Sequence, residues 1–174
     1  MRRFLPLAVA VAVLAPLVSG CGSGAIGNPD QRQRLELIRQ ATLKYQDLDV
    51  ALGDGYRPLP RCIASTDGSG ALGLEYLQIR RARDRQINLL EPEQLFYEEQ
   101  PNGRPTVFVG VGYLVPDEGQ KPPKSPLGHL DGPIPGQFRG EAAHFELHVW
   151  IGRKNPDGVL AFFNRDVKCL DQAD

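Results

Sequence analysis

A chain of 174 residues, 41% of them hydrophobic, is long enough to bury one core. Its 20 basic and 21 acidic side chains leave a net charge of −1, which gives no basic face for nucleic acid. Neither a GxxxxGK[ST] loop nor a GxGxxG turn after a strand is present to cradle a phosphate.

The chain opens on Met1-Arg2-Arg3, and Phe4 to Val18 is almost wholly apolar, interrupted by Pro6 and Pro16. That run falls short of the roughly 20 residues a membrane span needs. A basic start, an apolar run and small residues before a cut site describe a secretory signal. Leu17-Val18-Ser19-Gly20-Cys21 resembles the bacterial lipobox, in which Cys21 would be lipidated and become the mature N-terminus. The expected organisation is a lipoprotein signal peptide over 1–20, a flexible tether over 21–27 and one globular domain over 28–174. Two or more acyl chains, at about 0.8 kcal/mol per buried CH₂, would hold the domain on the extracytoplasmic face of the cell membrane. Cleavage removes Arg2 and Arg3, leaving 18 basic residues and a net charge of −3.

Asn28-Pro29-Asp30-Gln31 has the form of a helix start: a capping residue, a proline at the first helical position and a glutamine three residues on. Leu37, Ile38, Ala41, Tyr45, Leu48 and Leu52 fall on one stripe at helical spacing, and Gly53 and Gly55 are stop signals. These predict one amphipathic helix over about 29–52. Arg57-Pro58-Leu59-Pro60 reads as extended, and Ser65 to Gly70 as a loop. Gly73 to Ile79 is a predicted strand, and the basic run Arg80 to Arg85 a solvated segment able to meet anionic headgroups. Leu95 to Glu98 and Thr106 to Val115 are predicted strands joined by an Asn102-Gly103 turn. Residues 116–140, rich in proline and glycine, read as a long connecting loop. His144 to Ile151 is the clearest strand, and Val159 to Phe163 a last one beyond the turn at Asn155-Pro156-Asp157-Gly158. The predicted class is α+β, with a long N-terminal helix packed on an antiparallel sheet.

Of the three cysteines, lipidation of Cys21 leaves Cys62 and Cys169. In an exported chain two remaining cysteines favour a disulfide. No CxxC spacing accompanies them, which counts against a cysteine metal site.

Several words in order resemble a family of secreted and lipid-anchored actinobacterial proteins of unassigned function. They are Lys44-Tyr45-Gln46-Asp47, Asp54-Gly55-Tyr56, Cys62, Leu72-Gly73-Leu74-Glu75-Tyr76, Glu93-Gln94-Leu95-Phe96-Tyr97, Leu147-His148-Val149-Trp150, Asn155-Pro156-Asp157-Gly158 and Cys169. Where the family reads Met-Gly-x-His this chain reads Leu72-Gly73-Leu74-Glu75, so the resemblance implies Glu75 in place of a histidine.

The stretch His144-Phe145-Glu146-Leu147-His148-Val149-Trp150 alternates apolar with polar or aromatic residues. As a strand it turns Phe145, Leu147, Val149 and Ile151 to a core, and His144, Glu146, His148 and Trp150 to the other face. At about 3.3 Å per residue the two histidines stand about 13 Å apart, too far to share one metal without a bulge. Glu146 and His148, about 7 Å apart, can converge. One reading is therefore a metal site of Glu146, His148 and Glu75, with His144 as alternative ligand, suited to zinc, iron or manganese. An open coordination position there would allow hydrolysis through activated water, and without a metal Glu146 and His148 could act as an acid–base pair. The other reading is a half-exposed sheet face with no chemistry, on which Trp150 and Tyr76 are sheet packing or the lining of a pocket. His129, in the loop, is expected in solvent. Lacking HExxH or any comparable motif, the chain is expected to be a lipid-anchored binding or interaction domain for a protein or small molecule, with the metal-dependent protein as the alternative.

Overall fold

The computed structural model describes residues 29–98, 100–101, 107–136 and 140–170. The leader, Cys21, the tether, Asn28 and the Asn102-Gly103 turn lie outside the described residues.

Helix α1 spans Pro29–Thr42, and Leu35, Ile38 and Thr42 are its buried residues, three and four apart. Leu37, expected on the buried stripe, is instead exposed. The predicted continuous helix to residue 52 does not form. A 3₁₀ turn over Leu43–Gln46 follows α1, and a separate short helix α2 covers Leu48–Gly53. The break has a local cause. In a continuous helix the Asp49 N–H would donate to the Tyr45 carbonyl; here it donates to Asp47 Oδ1, which caps α2. The Tyr45 carbonyl accepts instead from the Tyr97 hydroxyl at 2.7 Å, a partner 52 residues away.

The chain then builds β1 (Arg57–Ala64), β2 (Ala71–Leu77), β3 (Gln94–Glu98) and β4 (Val107–Pro116). Next come β5 (Lys124–Ser125), β6 (Gly128–His129), β7 (Asp131–Ile134) and β8 (His144–Val149). Six strands form one antiparallel sheet in the order β1-β2-β3-β4-β8-β7, and β5 and β6 pair separately. The fold is α+β. Residues 116–140 are thus more than a loop, since β7 is an edge strand bonded to β8. His129 is exposed, as expected.

One face of the sheet carries Tyr76, Leu95, Tyr97, Val111, Tyr113, Phe145, Leu147 and Val149, which join Leu35 and Ile38 in the main apolar core. The opposite face has two smaller apolar clusters. One contains Leu72, Phe96, Trp150 and Val167; the other contains Leu77, Ala82 and Leu114.

The predicted strand over Val159 to Phe163 is not a strand. Its carbonyls are taken by other donors. Trp150 N–H donates to Val159, Trp150 Nε1 to Ala161, His148 Nδ1 to Phe162 and Asn155 Nδ2 to Phe163. Carbonyls turned to these donors are not aligned with a neighbouring strand. The segment is a cover over the second face, and a single bridge between Ala71 and Asn164 marks where it meets the sheet. The expected disulfide joins Cys62 on β1 to Cys169 beyond the cover, with Cα atoms 5.6 Å apart.

The closed loop spans 107 residues, so replacing both cysteines by alanine is expected to cost about 2–5 kcal/mol in chemical denaturation. Trp150, the one tryptophan, should become accessible to a soluble quencher before global unfolding, because the cover that shields it loses its tie. Unchanged quenching in the double variant would show that the cover holds without the bridge.

Candidate functional site

Strand alternation places His144, Glu146 and His148 of β8 on one face, but that face is not wet. Each is 1% exposed, as completely buried as the apolar residues between them. Expecting a half-exposed face was wrong because an isolated strand does not reveal what covers it; at the His148 end Phe162 and the Phe96 ring do. The imidazole of His148 lies 4.9 Å from the Phe96 ring and 4.3 Å from that of Phe162.

The three side chains form a line. His144 Nε2 is 3.0 Å from Glu146 Oε1, and His148 Nε2 is 3.2 Å from Glu146 Oε2. Each histidine's Nδ1 meets a main-chain carbonyl: Ala142 at 2.9 Å for His144, Phe162 at 2.7 Å for His148. A carbonyl can only accept, so both Nδ1 atoms carry the proton. Glu75, on β2, joins through Gln94 on β3. Gln94 Nε2 donates to Glu75 Oε1 at 2.9 Å and to Glu146 Oε1 at 2.6 Å.

Gln94 reaches across β4 because β4 has no side chain in the way. Gly112 is paired with Gln94 on one side and with His148 on the other. A Cβ on Gly112 would lie 2.1 Å from Gln94 Oε1 and 2.8 Å from Phe96 Cζ. Gly110 clears the path of Phe96 toward Trp150 in the same way. With both N–H groups of Gln94 spent on carboxylates, its Oε1 has no partner among the described residues. It lies beside Gly112, in the space a Cβ at that position would need. Sequence reasoning missed Gln94, Gly110 and Gly112. The one available signal was glycine at alternate positions of Val109-Gly110-Val111-Gly112, which in a strand marks a close approach.

The charges follow from this geometry. Burial alone would raise the Glu146 carboxyl, but hydrogen bonds from His144 and His148, with their positive charge, hold it well below the usual carboxylate range. Burial lowers the affinity of His144 for its proton; the hydrogen bond and charge of Glu146, the Ala142 carbonyl and the charge of Glu141 outweigh it and push the imidazole up to about 9. Glu75 goes the other way, up to about 8, through burial first and the nearby Glu146 charge second. At neutral pH His144 is therefore cationic, Glu146 anionic and Glu75 neutral.

The metal reading required Glu75, Glu146 and His148 to turn toward one common point, with His144 in reserve. Glu75 meets Gln94, the histidines face different oxygens of Glu146, and no group of three or more His, Cys, Asp or Glu among the described residues is arranged to hold a metal ion. The set does not fit a metal. Nor are Glu146 and His148 open to solvent as an acid–base pair would require: both are buried, and His148 Nδ1 ends on the Phe162 carbonyl.

One end does reach a cavity. His144 forms part of the wall of a pocket of about 350 Å³. Leu59 of β1, Leu77 of β2, Ile79, Ala82, and Leu114 and Pro116 of β4 supply half of the remaining lining, with Arg57, Arg83 and Glu141 as its charged members. Tyr76, the other residue considered as pocket lining, belongs to the main core instead. Trp150 belongs to the covered cluster, away from the pocket.

Comparison with known protein families, with curated proteins and with solved structures finds no match.

The pH dependence of stability has a definite sign. Glu146 contributes above the ordinary carboxylate value of 4.5 and is lost on acidification. His144 contributes fully below 6.5 and is lost as pH rises through about 9. Glu75, and Glu93, which burial also raises to about 8, cost stability as pH rises from 4.5 to that value. Thermal unfolding should therefore show its highest Tm at about pH 4.5–5 and a decline from there toward pH 9. Glu75→Gln should raise Tm at pH 8 and make the decline shallower; a Tm that is flat across this range in the native chain contradicts the charge assignment.

Proposed function

We propose that this chain is a lipid-anchored, extracytoplasmic binding domain, and that its binding place is the pocket beside His144. The observation that carries this reading is the pocket itself. Its volume of about 350 Å³ lies in the range of small-molecule sites, about 300–1,000 Å³, and its wall is apolar with a few charged groups, as such sites commonly are. The buried residues behind it support binding over catalysis: the hydrogen-bonding atoms of His144 and His148 are committed, and a fixed charge pair shapes a pocket without turning over a substrate.

The location rests on the sequence. Leu17-Val18-Ser19-Gly20-Cys21 has the order of a lipobox, and the resemblance to secreted and lipid-anchored proteins points the same way. The Cys62–Cys169 disulfide suits an oxidising compartment. No helix among the described residues is long and apolar enough to cross a membrane. A long α-helix docked on the sheet is not part of this proposal; α1, the 3₁₀ turn and α2 contribute Leu35, Ile38, Tyr45 and Ala51 to the core.

Two measurements test the reading. Cys21→Ala should move the protein from the membrane fraction to the soluble fraction; retention on the membrane counts against the anchor. The neutral apolar dye N-phenyl-1-naphthylamine should show saturable fluorescence with the full chain and lose it with Ala82→Trp, which fills the cavity. Dye binding that survives a filled pocket, or none in the native chain, removes the pocket as the binding place.

A further inference from the structure

We infer that the pocket takes a small amphipathic monoanion, a carboxylate on an apolar chain. This rests on the binding reading above and names the class of ligand.

Charge is the first ground. The lining holds Arg57, Arg83 and His144 as cations against Glu141 as the anion. Glu141 is already accounted for, with its Oε1 3.9 Å from His144 Nδ1. Glu146 balances His144 from behind. Among the described residues the three cations stand against Glu141 in the wall and Glu146 behind it, an excess of one positive charge. A monoanion neutralises it; a cation would add to it.

The state of Arg83 is the second ground. It stands in a run of arginines two of which are engaged. Arg81 donates to the Tyr56 hydroxyl and pairs with Glu91, and Arg85 pairs with Glu118. Arg83 forms no ion pair among the described residues, is exposed, and lines the pocket. Arg57, also a lining residue, differs: its Nη1 is fixed on the carbonyls of Leu52 and Tyr56, which leaves Nε and Nη2 as its remaining donors. One anchored and one unengaged guanidinium suit a carboxylate, which accepts from both.

The apolar wall is the third. Leu59, Leu77, Ala82 and Leu114 form one continuous cluster, and Ile79 remains 47% exposed beside it. An isoleucine left open at a pocket is covered when an apolar chain enters. At about 350 Å³ the site admits a small molecule, and a folded partner is too large for it.

The test is calorimetric titration of the purified full chain with octanoate, octan-1-ol and octylammonium, which share a chain and differ in charge. Octanoate is expected to bind tightest. Lengthening from hexanoate to decanoate should tighten binding about fourfold per methylene, the equivalent of about 0.8 kcal/mol. Arg83→Glu, at an exposed position that leaves the fold intact, should weaken octanoate roughly tenfold and leave octan-1-ol unchanged. If octan-1-ol binds as well as octanoate, the anion class is overturned while the binding reading stands. If octylammonium binds best, the charge argument is reversed. If none of the three binds and the neutral dye also fails, both the class and the binding reading fall.

Discussion

The second face of the sheet is organised around one carboxylate. Glu146 is buried to 1% exposure and accepts from His144, His148 and Gln94. An ionised carboxylate removed from water costs several kcal/mol unless donors replace its hydration. Three donors do so here, and each imposes a condition elsewhere. Gln94 must cross β4, so β4 must carry glycine at 112. His148 needs an acceptor for Nδ1, so the chain after β8 must return and present the Phe162 carbonyl. His144 needs one too, and the residues just before β8 supply Ala142.

These conditions place a polar row between two apolar clusters. On one side Phe96, Trp150 and Val167 lie under the cover held by the disulfide. On the other, Leu77, Ala82 and Leu114 back the pocket. The row therefore links the tail to the pocket wall through hydrogen bonds. Its neutral member, Glu75, limits the buried charge: ionising a second carboxylate so close to Glu146 is opposed by both burial and repulsion.

Much of the sheet was legible. Runs such as Leu95-Phe96-Tyr97 and Val107 to Val115 are β-branched and aromatic, and such residues fit a pleated surface whichever face is buried. The helical region was legible as a stripe but not as three pieces, because the stripe does not show that Asp47 caps Asp49 N–H, nor that Tyr97 takes the Tyr45 carbonyl so freed. Val159 to Phe163 has strand composition, yet its carbonyls serve side chains. Residues 131–134 carry too few β-formers to announce β7, which exists because β8 offers an edge. Of the site, Glu75, Glu146, His144 and His148 were singled out from sequence, and the structure brings them into one network. Gln94, which joins them, was not.

By itself the sequence determined the alternation of β8, the pairing partners left to Cys62 and Cys169, and the signal-like leader. These follow from local chemistry: side-chain period, cysteine count and hydropathy. Tertiary structure alone decided whether the polar face of β8 is wet or dry, where its donors terminate, and that its first residue borders a pocket. Those outcomes depend on which distant segments cover the sheet, and no local pattern encodes the identity of a covering segment.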